Sequence, residues 1–174
     1  MQAVIVYESM YGNTREIAEA IAEGVHEAEP DASVTCVPVS EAGPDVTRAA
    51  DLLVVGGPTH MHGMSTGVSR KLAHATPAKD ETSRETEEDV AGSPGLRSWF
   101  HDLPQTESAT HAAAFDTRAD SRMAGGAANG IAHRLSHHHY DVMVEPEGFI
   151  VEEAEGPLRA GEIERAKAWG TNLV

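Results

Sequence analysis

Cysteine is nearly absent from this 174-residue chain: Cys36 stands alone, so no internal disulfide can form, and the composition fits a reducing compartment. Aromatic residues make up only 5%, and no apolar run approaches the length needed to span a bilayer as a helix. Membrane insertion is therefore not expected. Lysine is also scarce, at Lys71, Lys79 and Lys167 alone, against ten arginines. The formal net charge of −15 would repel nucleic acid, which sets that partner class aside. An acidic, lysine-poor surface is expected to suit a salt-rich cytoplasm, where screening relieves self-repulsion, a GC-rich genome favouring Arg codons being the alternative. Met1 is followed within two residues by a strand-like run, which is read as leaving no room for a signal peptide; a cytoplasmic location is expected.

Several motifs that handle anions, metals or acyl groups are missing too. No Lys precedes Lys71, which excludes a GxxxxGK[ST] loop near the N-terminus. No three-glycine dinucleotide fingerprint occurs at the first turn, and the single Cys lies away from it. Ser9 follows Tyr7-Glu8 and is not part of a G-x-S-x-G elbow, so a hydrolase is not expected. Glu8 is expected to be a solvated or Arg-paired carboxylate. Among ten histidines, His60 and His62 stand two apart in a loop, but no Asp, Glu or Cys lies between Asp51 and Asp80 to complete a compact metal site. His137-His138-His139 is read as the end of a helix, where partly protonated imidazoles meet the negative end of the dipole.

What is present is organised around residues 3–17. Ala3-Val4-Ile5-Val6 reads as a buried parallel strand, and Ile17, Ile21 and Val25 recur at helical spacing. The turn between them, Ser9-Met10-Tyr11-Gly12-Asn13-Thr14, is neutral, rich in hydroxyls and placed at a helix N-terminus. Free N–H groups, the positive dipole end and the Ser9 and Thr14 hydroxyls together suit a phosphate.

Further along, residues 33–39 alternate apolar and polar, and read as an edge strand. Residues 41–49 form at most a short helix. Leu52 to Val55 is a third strand, expected to end in a Gly56-Gly57-Pro58-Thr59 loop. Those two glycines stand where a receiver domain would need its phosphorylatable Asp. A helix is expected over 65–74, and an acidic surface insertion at about 76–94. Residues 96–103 read as helix, and residues 111–115 as a fourth strand followed by Asp116-Thr117-Arg118. Gly125-Gly126 opens a helix to about His138, and a fifth strand is interrupted around Pro146. A last helix over 161–173 should turn Ile163, Ala166 and Trp169 or Gly170 inward.

Strict alternation of five strands and helices means a three-layer α/β sandwich, taken as a single domain over 1–174. In an open sheet ordered 2-1-3-4-5, strands one and three adjoin where the winding reverses, and ligands bind at their carboxyl ends. Both unusual loops fall there.

The 9–14 turn resembles the phosphate loop of flavodoxins, whose ligand is flavin mononucleotide (FMN). Tyr7-Glu8 and Tyr11 also resemble flavodoxin-like quinone reductases, and the tail from Gly156-Pro157-Leu158 to Trp169-Gly170 is similar to that of a flavodoxin-domain subfamily. The resemblance implies the flavodoxin-like fold, with a five-stranded parallel sheet and helices on both faces. It implies that Ser9, Met10, Tyr11, Gly12, Asn13 and Thr14 form the phosphate site. It implies too that Pro58, Thr59, His60, Met61, His62 and Gly63, with Phe115, Asp116, Thr117 and Arg118, border the flavin ring. Carrier flavodoxins sandwich the ring between Trp and Tyr, and neither loop here offers that pair; His60 or His62 is the candidate neighbour instead.

The activity expected is electron transfer through non-covalently bound FMN, with a redox protein or a small electron donor or acceptor as partner. An NAD(P)H-dependent quinone reductase and a binding module that has lost flavin stay open as alternatives. The acidic composition makes its own prediction. Raising sodium chloride from low to molar concentration should raise the thermal unfolding midpoint, because surface carboxylates are screened from one another. A midpoint that falls steadily with salt would contradict the salt-adapted reading.

Overall fold

The computed structural model describes residues 1–60, 63–64, 95–106, 110–120, 126–153 and 155–174. The helix expected over 65–74 and the acidic insertion at 76–94 lie outside the described residues. The first strand, β1 (Gln2–Tyr7), is followed by helix α1 (Asn13–Ala28), then β2 (Ser33–Pro38) and the short α2 (Pro44–Arg48). Next come β3 (Leu52–His60), β4 (Gly63–Met64), α3 (Leu96–Asp102), β5 (His111–Ala119) and α4 (Ala127–His137). The chain ends with β6 (Asp141–Val142), β7 (Glu147–Val151) and α5 (Glu162–Thr171).

The sheet runs β2-β1-β3-β5-β6, all parallel, with β7 also pairing in parallel with β5 and β4 pairing antiparallel to β3. Counted by position, this is the expected 2-1-3-4-5 order, its fifth place filled by β6 and β7. Central strands are covered on both faces, so they must be apolar throughout. Val4, Ile5, Val6, Leu53, Val54 and Val55 are all fully buried. Because side chains alternate, one strand feeds two cores. Val4, Val6, Leu53 and Val55 pack with Trp99, Phe100, Ile131 and Leu135 from α3 and α4. Ala3, Ile5 and Val54 pack with Ile17, Ile21, Val25 and Ala166 from α1 and α5. Burying each large aliphatic side chain contributes about 1.5–3 kcal/mol. Helices α1 and α5 meet almost backbone to backbone: a Cβ on Gly24 would overlap the Lys167 carbonyl, and one on Gly170 the Ile21 carbonyl.

Three expectations change. Residues 56–60 are not a loop: β3 continues through Gly56, Gly57 and Pro58, which pair with Phe115, Asp116 and Thr117. The Phe115 ring lies over Gly56 where a Cβ would stand, so the glycine is a packing requirement. Pro58 is tolerated because the ladder to β1 stops at Gly56, leaving β3 paired there on the β5 side. Likewise, Asp116, Thr117 and Arg118 belong to β5 itself.

The third change is in α5, where Ile163 is 37% exposed and Glu162 takes the inward place at 8%. Its carboxylate accepts the Ile150 N–H at 2.8 Å and pairs with Arg165, which is also bonded to Glu147 and the Gly148 carbonyl. That network ties α5 to β7, so a polar residue outcompetes the apolar one for the interior.

Candidate functional site

Strands β1 and β3 adjoin; β2 lies beyond one and β5 beyond the other, so the winding reverses between them. A crevice opens at the carboxyl ends of such a pair. Three segments gather there: the 8–14 turn after β1, the end of β3 after Gly56, and the end of β5 level with Gly57 and Pro58.

The turn is built around Gly12, whose left-handed φ of 85° starts α1 without the cost a side chain would bring. The Gly12 N–H donates to Ser9 Oγ at 3.1 Å, and Glu16 N–H donates to the Gly12 carbonyl at 3.0 Å as the first helical bond. Met10 is buried and packs against Tyr11. The Tyr11 hydroxyl is pushed above its ordinary pKa, first by burial and then by the Glu155 carboxylate, so it stays a neutral donor. Asn13 donates from Nδ2 to the Glu155 carbonyl at 3.0 Å. The hairpin after β7 thereby rests on the start of α1. Thr14 Oγ1 lies 2.8 Å from Thr117 Oγ1, a buried bond joining α1 to β5.

Two carboxylates at the rim are spoken for. Asp116, 0% exposed, accepts the Thr59 hydroxyl at 3.0 Å and the Ala128 N–H at 2.9 Å through Oδ2. Thr59 Oγ1 in turn accepts the Ala127 N–H at 2.8 Å. Among the described residues Asp116 Oδ1 makes no hydrogen bond, and it has Arg118 Nε at 3.4 Å. Burial pushes the Asp116 carboxyl above its ordinary pKa, opposed by the Ala128 N–H, Arg118, Thr59 and the Ala127 N–H.

Glu8 was expected to be solvated or Arg-paired; at 4% exposure it is not solvated, and its Oε2 accepts the Leu96 N–H at 2.9 Å at the first residue of α3. Helices α3 and α4 start after Gly95 and Gly126, which carry no capping side chain, so remote carboxylates close them. Those remote caps were missed from sequence, and the bare glycines before α3 and α4 are no signal for them, since α1, α2 and α5 open on glycine as well.

The predicted site residues therefore divide. Ser9, Met10, Tyr11, Gly12, Asn13, Thr14 and Thr117 come together at the start of α1. Pro58, Thr59 and Arg118 stand at the neighbouring rim, where the Arg118 guanidinium lies over Gly148 and against Gly126. Asp116 is an internal cap, and Phe115 is fully buried in T-shaped contact with Phe149 and Trp169. Neither side chain reaches the rim surface. The His60 and Gly63 backbones pair with each other, while Met61 and His62 lie outside the described residues.

A cavity of about 180 Å³ beneath Trp99, lined by Val39, Pro44 and Leu103 among others, shares no residue with these segments. The histidine run behaves differently from expectation at its centre. His138, the C-cap of α4, is pushed below its ordinary pKa by burial and by His137, which works against the dipole-bound cation expected there. Among the described residues no group of three or more His, Cys, Asp or Glu is placed to hold a metal.

An open parallel sheet wound outward both ways from β1 and β3, with its special turns on one carboxyl rim, defines the doubly wound α/β class. Within that class the chain belongs to the flavodoxin family, whose model, described as Flavodoxin, matches residues 5–93. Among solved structures it is similar to a flavodoxin from the domain Archaea, at 19% identity and a TM-score of 0.64, covering 99% of this chain and 96% of that one. It is also similar to oxidised flavodoxin 1 from Bacillus cereus (16%, TM-score 0.67, 99% and 97% covered). Two-electron reduced Megasphaera elsdenii flavodoxin gives 20%, a TM-score of 0.59, and 98% of each chain. At these identities the likeness is one of fold. No curated protein matches the chain.

The Asp116 cap gives a prediction with a definite sign. A carboxyl whose folded pKa lies above its ordinary 3.8 adds stability below that value and loses it as pH rises through the folded value. Asp116→Asn keeps an oxygen acceptor for Thr59 and Ala128 and cannot ionise, so its stability should lack this decline when unfolding is followed upward from pH 3. Asp116→Ala, which strands both donors, should lose about 2–4 kcal/mol in urea unfolding. A wild-type pH curve that superimposes on that of Asp116→Asn would contradict the raised pKa.

Proposed function

We propose that the chain is a single-domain FMN-binding redox protein that transfers electrons through a non-covalently held flavin. The reading rests on family membership together with one observation: the start of α1 is a donor-lined turn at the switch point of the sheet. The residues fit a phosphate dianion. Gly12 lets the chain wrap closely, Ser9 and Thr14 bring hydroxyls, and α1 brings N–H groups and its positive end. The carboxylate just before the turn, Glu8, is directed into α3 and does not compete. Ser9, Gly12, Asn13 and Thr14 would hold the phosphate, Asn13 through its backbone since its amide is engaged with Glu155. Pro58 to Gly63 and Arg118 would border the ring.

The bound flavin supplies the redox chemistry, and the protein binds, orients and tunes it. Asp116 and Thr59 hold the ends of β3, β5 and α4 in fixed relation, so the ring-bordering edge is rigid. The partners inferred are a redox protein or a small electron donor or acceptor in the cytoplasm.

The visible spectrum of the purified protein tests the proposal first: bound flavin should be seen, and the ligand released on denaturation should be FMN. Thr14→Ala should weaken FMN binding by about 1–3 kcal/mol, the value of a hydrogen bond to a charged group. A protein that is colourless and fails to quench added FMN fluorescence would overturn the function.

A further inference from the structure

Two hydroxyls carry two protons, and the Thr14–Thr117 contact uses one of them. Both residues are buried, at 2% and 5% exposure, so the second proton cannot simply be left to bulk water. Among the described residues neither hydroxyl makes another hydrogen bond. An unmade bond at a buried donor is costly, and such a donor commonly marks an acceptor that arrives with a ligand.

We infer that Thr117 is a positioning residue for the phosphate of the flavin: its hydroxyl donates to Thr14 Oγ1, leaving the Thr14 proton directed at the phosphate. The inference rests on the FMN reading above and deepens it. Thr14 is the second residue of α1, where the N-terminal N–H groups already face the proposed phosphate. Thr117 comes from β5, 103 residues away in sequence.

The geometry has two consequences. A hydroxyl free to rotate spreads its proton over three staggered positions, whereas one that accepts a bond from Thr117 has one lone pair occupied and its proton confined. The cost of orienting the donor is then met before the ligand binds. The strand holding Thr117 also carries Arg118 at the rim, so the phosphate end and the ring edge share one rigid element. A neutral ligand without the phosphate gains nothing from this arrangement. Thr117 therefore separates FMN from riboflavin without touching either.

The test is fluorescence titration of the full-length chain with FMN and with riboflavin, for wild type, Thr117→Val, Thr117→Ser and Thr14→Val. Val keeps the branched shape that suits a strand but removes the hydroxyl. Thr117→Val should weaken FMN binding about tenfold and leave riboflavin binding within about twofold. Thr117→Ser should restore FMN affinity to within about threefold of wild type. In the double variant, Thr117→Val should add little to Thr14→Val, because each removes the same directed proton.

FMN affinity unchanged in Thr117→Val would overturn the inference, as would equal loss of FMN and riboflavin, which is what a merely structural role produces. Full additivity in the double variant would do the same. Wild type that binds neither flavin is a different outcome: it removes the proposed function, and this inference with it.

Discussion

Every long helix that begins at the carboxyl rim of this sheet brings N–H groups with no intrahelical acceptor and the positive end of a dipole. Satisfying those groups is the constraint on which the arrangement of the rim depends. The chain meets it with its own carboxylates at two helices. Glu8 from the end of β1 closes α3, and Asp116 from β5, with Thr59 from β3, closes α4. In α5, Glu162 is used differently: it accepts the Ile150 N–H of β7 and pairs with Arg165, and no side chain caps the helix. Helix α1 begins at a left-handed glycine, as α5 does, but is flanked by Ser9 and by the Thr14–Thr117 pair. The division separates a structural rim from the turn proposed to bind phosphate: anion positions at α3 and α4 are filled from within, and no carboxylate of the chain is seen to fill the start of α1 among the described residues.

The same economy explains how an acidic chain tolerates buried carboxylates. Asp116 and Glu162 are buried, but each has a guanidinium beside it and backbone or hydroxyl donors on its oxygens. Buried charge is sustainable on those terms and costly otherwise. Arg165 does more than neutralise. Its guanidinium stacks over the Phe149 ring at 4.4 Å, holding β7 against α5. Strand β7 in turn pairs with Phe115 to Ala119, the part of β5 that carries Thr117 and Arg118. The C-terminal helix thus supports the rim through a strand, although it contributes no side chain to the turn.

Much of this was legible in the sequence, for physical reasons that differ by element. Strand β1 and helix α1 declare themselves, because a strand buried on both faces must be continuously apolar and Ile17, Ile21 and Val25 keep a strict helical face. The interrupted fifth strand showed through Pro146. Gly56-Gly57-Pro58 misled because glycine and proline ordinarily break strands. Here the Phe115 ring demands a glycine, and one-sided pairing admits the proline. Ile163 misled by hydrophobicity alone, since Arg165 gives Glu162 a stronger claim on the interior. Contacts spanning about a hundred residues, such as Glu8 to Leu96 and Thr14 to Thr117, leave no local pattern. Of the site, the hydroxyl-rich turn was visible. The inward commitment of Asp116 and Thr59, and the docking of Glu155 on Asn13, came only with the fold.

The account stands on the start of α1 being the anion site while the starts of α3 and α4 are closed by the chain itself. Amide NMR of the protein titrated with FMN tests this most directly. The account predicts large shifts and new exchange protection for the first amides of α1, at Asn13 and Thr14, with the Leu96 and Ala128 amides keeping the protection their carboxylates already give. Protection gained at Leu96 or Ala128, with none at the start of α1, would contradict it.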